Sequence, residues 1–357
     1  MLLVNRNFGL DLLRAIAVML VVISHTGILP QYIFGLRMGQ MGVEFFFVLS
    51  GFLIGQILLK TFTRELNFKS ILDFWMRRWL RTIPVYYLVI IVKFLFIDNS
   101  WGSKIWVYFF FLQNNIYGID FLGVSWSLVI EEWFYLFLPI SLLLFFRSSK
   151  NITANRITIY LTGLIFFFLF VRLFAVLVYN KGYDSINGQV PFRLDSLLFG
   201  VLLANLKLNA KVYLYLSSKY CFLIAAFFYV VLMYFYGKVN IIDNNVNNFV
   251  WTRTIWFSFQ SLLITLMLPF IESKLFAKHN GNNLGVIKSI VVFVSLTSYS
   301  LYLIHLDFMY YFISAPVFTS KWLLQSSISI SISLVLSYIL YKTVELPFMK
   351  LRNKIKI

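Results

Sequence analysis

The sequence predicts an all-α polytopic membrane protein of about ten spanning helices, and three observations predict it. Mean hydropathy is +0.82 and 60% of the 357 residues are hydrophobic. Only 13% are charged, about half the fraction of a soluble domain. Apolar stretches long enough for ~30 Å of hydrocarbon recur along the chain, at 8–29, 41–60, 83–98, 125–146, 156–179, 192–206, 220–236, 251–272, 289–313 and 322–344. A shorter one, 105–116, fits a re-entrant or partial helix. The expected organisation is one transmembrane domain over 1–357, with no added soluble domain.

The first stretch, Phe8 to Leu29, is read as a span and not a signal peptide. It exceeds an h-region, carries Asp11 and Arg14, and lacks a small-residue cleavage site. Ionisable groups inside a spanning helix cost roughly 2.5–3.5 kcal/mol each, so they are normally kept for a purpose. At about 100° per residue, Arg14 and His25 differ by roughly 20° around the helix and Asp11 lies within about 60° of both. His25 sits about 16 Å beyond Arg14 along the axis. One polar stripe therefore runs along an apolar helix. Its plainer explanation is an Asp11–Arg14 ion pair plus a histidine bonded to a neighbouring helix.

The second stretch contains F-F-F-V-L-S-G-F-L-I-G from Phe45, whose Ser50, Gly51 and Gly55 suit close helix packing or the wall of a narrow tunnel. Ahead of the third lies R-R-W-L-R-T-I-P, with Arg77, Arg78 and Arg81. Such clusters usually set topology or meet anionic lipid heads. Three guanidiniums beside Trp79 also suit a phosphate-rich ligand through bidentate bonds. The fourth long stretch follows Trp126 and carries Glu131 and Glu132. Arg172 interrupts the fifth, Arg193 and Asp195 open the sixth, and the seventh holds the single cysteine, Cys221. One cysteine excludes an intrachain disulfide and a thiolate metal cluster, and no metal site is expected. Arg253 starts the eighth stretch, and Tyr299, Tyr302, His305 and Asp307 mark the ninth.

Ten spans put both termini on one face. That face holds twenty-one Lys and Arg, against five on the other: Arg37, Lys104, Lys181, Lys238 and Lys321. The positive-inside rule makes the rich face cytoplasmic, so the net charge of +17 reflects topology and not nucleic acid. Depth then follows from direction. Arg14 falls in the inner half, whereas His25, Glu44, Glu131, Glu132, Arg193, Asp195, Arg253 and His305 fall in the outer half. Glu44, on the neighbouring antiparallel helix, is the expected partner of His25. Acids, bases and two histidines at one depth fit a reaction chamber or a transport pathway.

The motifs in order resemble the acyltransferase-3 family of integral membrane O-acyltransferases of bacteria. They are L-D-L-L-R-A-I-A ending at His25, G-V-E-F-F-F-V-L-S-G-F from Gly42, R-R-W-L-R-T-I-P from Arg77 and W-S-L-V-I-E-E-W-F-Y from Trp126. F-R-L-D-S-L-L-F-G from Phe192, S-Y-S-L-Y-L-I-H from Ser298 and V-E-L-P from Val344 follow. The resemblance implies a multi-pass enzyme of the cell inner membrane. Such an enzyme moves an acetyl or other acyl group from cytoplasmic acyl-CoA to a hydroxyl of an envelope glycan or lipid-linked sugar. Lipopolysaccharide O-antigen or another surface polysaccharide is the expected acceptor on family frequency. It further implies that His25 is the essential histidine, with Arg14 its first-helix partner, and that Arg77, Arg78 and Arg81 face the CoA donor. Asp11, Glu44, Glu131 and Glu132 complete the expected catalytic set. Trp126, Arg193, Asp195, Tyr302 and His305 are the expected acceptor contacts. Trp133 stands where many relatives have Gln. His25 can act as general base or carry the acyl group, and the sequence leaves both open. The competing class, an exporter of a polar or lipid-linked sugar, shows no inverted repeat or paired broken helices in this sequence.

Overall fold

A computed structural model describes residues 6–26, 37–62, 67–147, 152–242, 246–273, 285–313, 322–352 and 354. All ten predicted stretches are helical. They are α1 (Phe8–Ser24), α2 (Met38–Phe62), α3 (Phe68–Phe96), α4 (Trp126–Phe146), α5 (Ala154–Tyr179), α6 (Leu194–Leu206), α7 (Lys219–Ile242), α8 (Ile255–Glu272), α9 (Gly285–Ile313) and α10 (Trp322–Leu340). Helix α10 continues through a π-helical turn, Tyr341–Glu345, into Leu346–Arg352. No strand occurs among the described residues. Of the basic residues used for topology, Arg64, Lys150, Lys274, Lys278, Lys321 and Lys356 lie outside the described residues.

Eight of these helices are long and apolar enough to cross a membrane. The other two, α1 with 17 residues and α6 with 13, are shorter and enclosed by their neighbours. At 1.5 Å per residue α6 covers about 20 Å, so it cannot cross alone. All but two of its residues are buried. Lipid-facing apolar side chains instead sit on outer helices such as α5, where Phe166, Phe167, Phe170 and Leu177 are exposed.

The core is α2, held between α1 and α6, with α9 packed on the far side of α1. Close approach requires glycine at two facing positions. A Cβ on Gly51 would lie 2.0 Å from the Leu197 carbonyl oxygen, and one on Gly200 2.1 Å from that of Val48. The small-residue stripe of α2 is thus a packing seam, while Ser50 beside it faces a cavity. Two buried ion pairs tie the surrounding helices: Arg172 of α5 with Asp195 of α6, and Arg193 with Glu44 of α2.

One boundary differs strongly from the sequence reading. Helix α3 begins at Phe68, fifteen residues before the predicted start, because Asn67 caps it and the arginine run is fully helical. Its 29 residues cover about 43 Å, which carries Arg77, Arg78 and Arg81 on the same rod as the apolar span. The 105–116 stretch is broken into short turns, Gly102–Ile105, Trp106–Phe109 and Gln113–Ile116, as expected of a segment that does not cross. Buried Gln113 anchors it by donating to Tyr86 Oη and Ser125 Oγ, both at 3.1 Å.

Candidate active site

Two cavities meet inside the bundle. The first, of about 110 Å³, is lined by Arg14, Arg78 and Arg81 together with Ser50, Thr82, Glu131 and Tyr135. The second, of about 400 Å³, is lined by His25, Arg37, Gln40, Trp126 and Asn187 among others. Their linings have two residues in common, Val43 and Tyr302. Tyr302 is held there by its hydroxyl, 2.6 Å from Ser127 Oγ and donating to the Val124 carbonyl at 3.0 Å.

The arginine cavity carries three guanidiniums against one carboxylate in its lining. Arg14 is fixed by Asp11 at 3.5 Å and donates to Ser295 Oγ at 3.3 Å. Asp11 is buried and is itself pinned by Arg6 and by Ser295, whose hydroxyl donates to it at 2.7 Å. Arg78 and Arg81, one turn apart on α3, pair with no carboxylate at ion-pair distance among the described residues. Glu131 accepts from Tyr135 Oη at 2.8 Å, and that hydroxyl also meets Ser50 Oγ at 2.8 Å. Glu345, on the π-helical turn, is buried behind this cavity, where it accepts from Ser300 at 3.0 Å. π-Turns concentrate at functional sites, so this one is notable.

In the histidine cavity the hydrogen bonds fix the tautomers. His305 is fully buried, and its Nδ1 lies 2.8 Å from the Tyr302 carbonyl oxygen. A carbonyl accepts only, so that Nδ1 bears the hydrogen and Nε2 keeps its lone pair. This lone pair stands 3.3 Å from His25 Nδ1, which is also 2.8 Å from the Val21 carbonyl oxygen. Both neighbours are acceptors, so Nδ1 of His25 is the protonated nitrogen. Its Nε2 is left as the basic atom, on a side chain that lines the cavity.

The expected site residues therefore separate. His25, Arg14, Arg78, Arg81, Glu131, Trp126 and Tyr302 all line the cavities. Asp11 touches Arg14 from behind, as the plainer explanation of the stripe anticipated, and acts as a positioning residue. Glu44 is not the partner of His25: its two oxygens are taken by Arg193 and Ser261, and it is fully buried against α6 and α8. Arg193 and Asp195 line neither cavity and are sealed in ion pairs between helices. Arg253 likewise ties down Asn180 at 2.8 Å. Arg77 points the other way on α3, pairing with Asp73 at 2.7 Å, which splits the predicted arginine trio. Glu132 faces Thr82 Oγ1 at 2.9 Å and lies outside both linings. His305 lies outside both linings, fully buried against His25. Trp133 is part-exposed on the opposite face of α4 from Glu131 and donates to the Phe111 carbonyl at 2.9 Å, so that departure from the pattern falls outside the cavities. Ser295, Tyr135 and Glu345 were missed. Hydroxyl residues are common in spans, and nothing in their spacing marks these; V-E-L-P did mark Glu345, but without a role.

Comparisons with known proteins bear on the family of the chain. A candidate O-acetyltransferase of Staphylococcus aureus (strain COL) is 29% identical over 96% of this chain and 57% of its own length. The peptidoglycan O-acetyltransferase OatA of Listeria monocytogenes (strain EGD-e) is 34% identical over 40% of this chain and 25% of its own. The O-acetyltransferase OatA of Staphylococcus aureus (strain NCTC 8325) is 32% identical over 55% of this chain and 34% of its own. The chain thus spans little more than half of the first of these relatives. No solved structure matches. The family model described as an acyltransferase domain matches residues 7–342, nearly the whole chain, which therefore belongs to the acyltransferase-3 family.

Proposed function

We propose that the protein is a membrane O-acyltransferase that moves an acetyl group from acyl-CoA, on the cytoplasmic side, to a hydroxyl of a cell-envelope glycan. The acceptor is a surface polysaccharide such as lipopolysaccharide O-antigen, or a lipid-linked precursor of one, and the enzyme works in the inner membrane. One observation carries this reading: an arginine cavity and a histidine cavity abut at Val43 and Tyr302. That is the arrangement needed to hold an anionic donor at one end and deprotonate an acceptor hydroxyl at the other.

Arg78 and Arg81, with Arg14 deeper in, bind the donor phosphates through charge-assisted bonds. The roughly 16 Å between Arg14 and His25 along α1 is within reach of an extended phosphopantetheine arm. The arm passes between Val43 and Tyr302 and presents its thioester carbonyl to His25. Nε2 of His25 takes the proton of the acceptor hydroxyl as the oxygen attacks the carbonyl carbon. The carbon–sulfur bond then breaks, and the imidazolium returns the proton to the CoA thiolate. General-base action of this kind contributes about 10²–10⁴-fold. The same lone pair serves an acyl-histidine route, in which Nε2 attacks the thioester first.

Purified protein reconstituted in vesicles with labelled acetyl-CoA tests the proposal. Transfer of label to an envelope-glycan extract should be present in wild type and lost in His25→Ala, with insertion unchanged. Wild-type-level transfer in His25→Ala removes the histidine from the mechanism. Export of glycan without thioester consumption identifies a transporter instead.

A further inference from the structure

Arg37 stands apart from every other residue around His25. Among the described residues it is the one formally charged side chain in the lining of the histidine cavity. Its backbone is in the left-handed region, at φ 46°, which a non-glycine residue adopts only when its surroundings hold it there. Those surroundings are visible. The guanidinium lies 4.4 Å from the ring centroid of Tyr183, which is fully buried and donates its hydroxyl to Gln40. Gln40 in turn donates to Asn187 at 3.3 Å.

The present partner of Arg37 is weak. One nitrogen, Nη1, meets Asp184 at 3.3 Å, and the Asp184 side chain is 86% exposed. A single long contact to a hydrated carboxylate contributes little, and water replaces it readily. Arg37 lines the cavity and Asp184 does not, and among the described residues no carboxylate stands in that lining to compensate the guanidinium fork. The remaining N–H groups of that fork make no hydrogen bond among the described residues. A strained backbone, a stacked guanidinium and a displaceable counter-ion together make a site preset for an anion.

We infer that the acceptor sugar carries an anionic group, a carboxylate or a phosphate, which Arg37 binds bidentately in place of Asp184 while the sugar hydroxyl lies at His25. The inference rests on the acyl-transfer reading and adds the chemical class of the acceptor. Trp126 and the Gln40–Asn187 amide pair, also in the lining, suit the apolar face and hydroxyls of the same sugar ring.

The test uses the full chain in envelope-containing cells with its native acceptor. Base-labile acetyl on envelope glycans is measured for wild type, Arg37→Lys, Arg37→Gln, Asp184→Asn and His25→Ala, and the acetylated fragment is identified by mass spectrometry. The His25-dependent acetyl should fall at least tenfold in Arg37→Gln, survive in part in Arg37→Lys, and stay at the wild-type level in Asp184→Asn. The acetylated sugar should bear a carboxylate or a phosphate, and the fragment mass tells which. Acetyl on a neutral sugar overturns the inference and leaves the acyl-transfer reading standing. An equal loss in Asp184→Asn and Arg37→Gln also overturns it, because the pair is then only a tie for the 183–188 turn. Absence of His25-dependent acetyl on any glycan removes the acyl-transfer reading and the inference with it.

Discussion

His305 Nε2 stands 3.3 Å from His25 Nδ1, and with the Val21 carbonyl at 2.8 Å it sets which nitrogen of His25 can work. His305 is itself locked, because its other nitrogen donates to the Tyr302 carbonyl. The pair therefore does for an imidazole what a carboxylate does in a hydrolytic triad: it fixes the tautomer and accepts the hydrogen of the distal nitrogen. Being neutral, it does so without burying a charge in the bundle. Replacing His305 by Leu should lower kcat about 10²-fold or more with little change in KM for acetyl-CoA. His305→Gln, whose amide oxygen can accept from Nδ1, should restore part of it. Steady-state kinetics on reconstituted protein separate these outcomes, and equal losses in Leu and Gln variants would mean that His305 only fills space.

The split of the arginine trio gives a second expectation. Arg78 and Arg81 line the cavity whereas Arg77 is half-exposed and paired with Asp73. A charge-assisted phosphate contact contributes about 1.5–3 kcal/mol. Arg78→Ala and Arg81→Ala should each weaken acetyl-CoA binding about tenfold or more, and Arg77→Ala by less than about twofold. Titration calorimetry in nanodiscs checks this; equal effects at all three positions would make the cluster a general electrostatic surface.

Glu44 now belongs to stability. It and Arg193 are both fully buried, and Ser261 completes the carboxylate's bonds. Removing one partner of such a pair leaves an uncompensated charge and costs about 3–5 kcal/mol. Glu44→Gln and Arg193→Met should therefore each lower the thermal midpoint in detergent sharply. Glu44→Met combined with Arg193→Met should recover much of the loss, since a well-packed apolar pair replaces the ions. A double variant no better than the singles would show that specific hydrogen bonds, not charge balance, hold α2 to α6.

These contrasts mark what sequence reading reaches. Helix number and order were legible because a span of lipid demands about twenty apolar residues, and that signal is local. The Arg14–His25 stripe was legible for the same reason, since both residues sit on one helix with fixed periodicity. Depth was legible only in part: His25 and His305 do meet, whereas Glu131, expected beside His25, lines the cavity of Arg14, Arg78 and Arg81. Azimuth was not. Glu44 faces α6 and α8, and Arg77 is one residue from Arg78 yet points away from the cavity. Which face of a helix meets which neighbour depends on packing between distant segments, such as the Gly51–Gly200 seam, and single-helix periodicity carries no record of it.

The partition between the cavities gives the last expectation. Val43 is buried and Tyr302 is tethered at Ser127 and Val124, and the two side chains stand between the cavities on the route proposed for the donor arm. Val43→Phe adds bulk at that wall and leaves the arginines and histidines unsubstituted. Overpacking of this kind costs about 1–3 kcal/mol, which a thermal melt will register and a stable bundle will tolerate. Donor affinity, set at Arg78 and Arg81, should stay within about twofold, while acetyl transfer should fall at least tenfold. Val43→Ala, with the wall widened, should keep transfer and admit propionyl or butyryl donors better than wild type does. Donor affinity and transfer that fall together in Val43→Phe would place the whole donor in one cavity. The acyl group would then reach His25 by a route that does not run between these two residues.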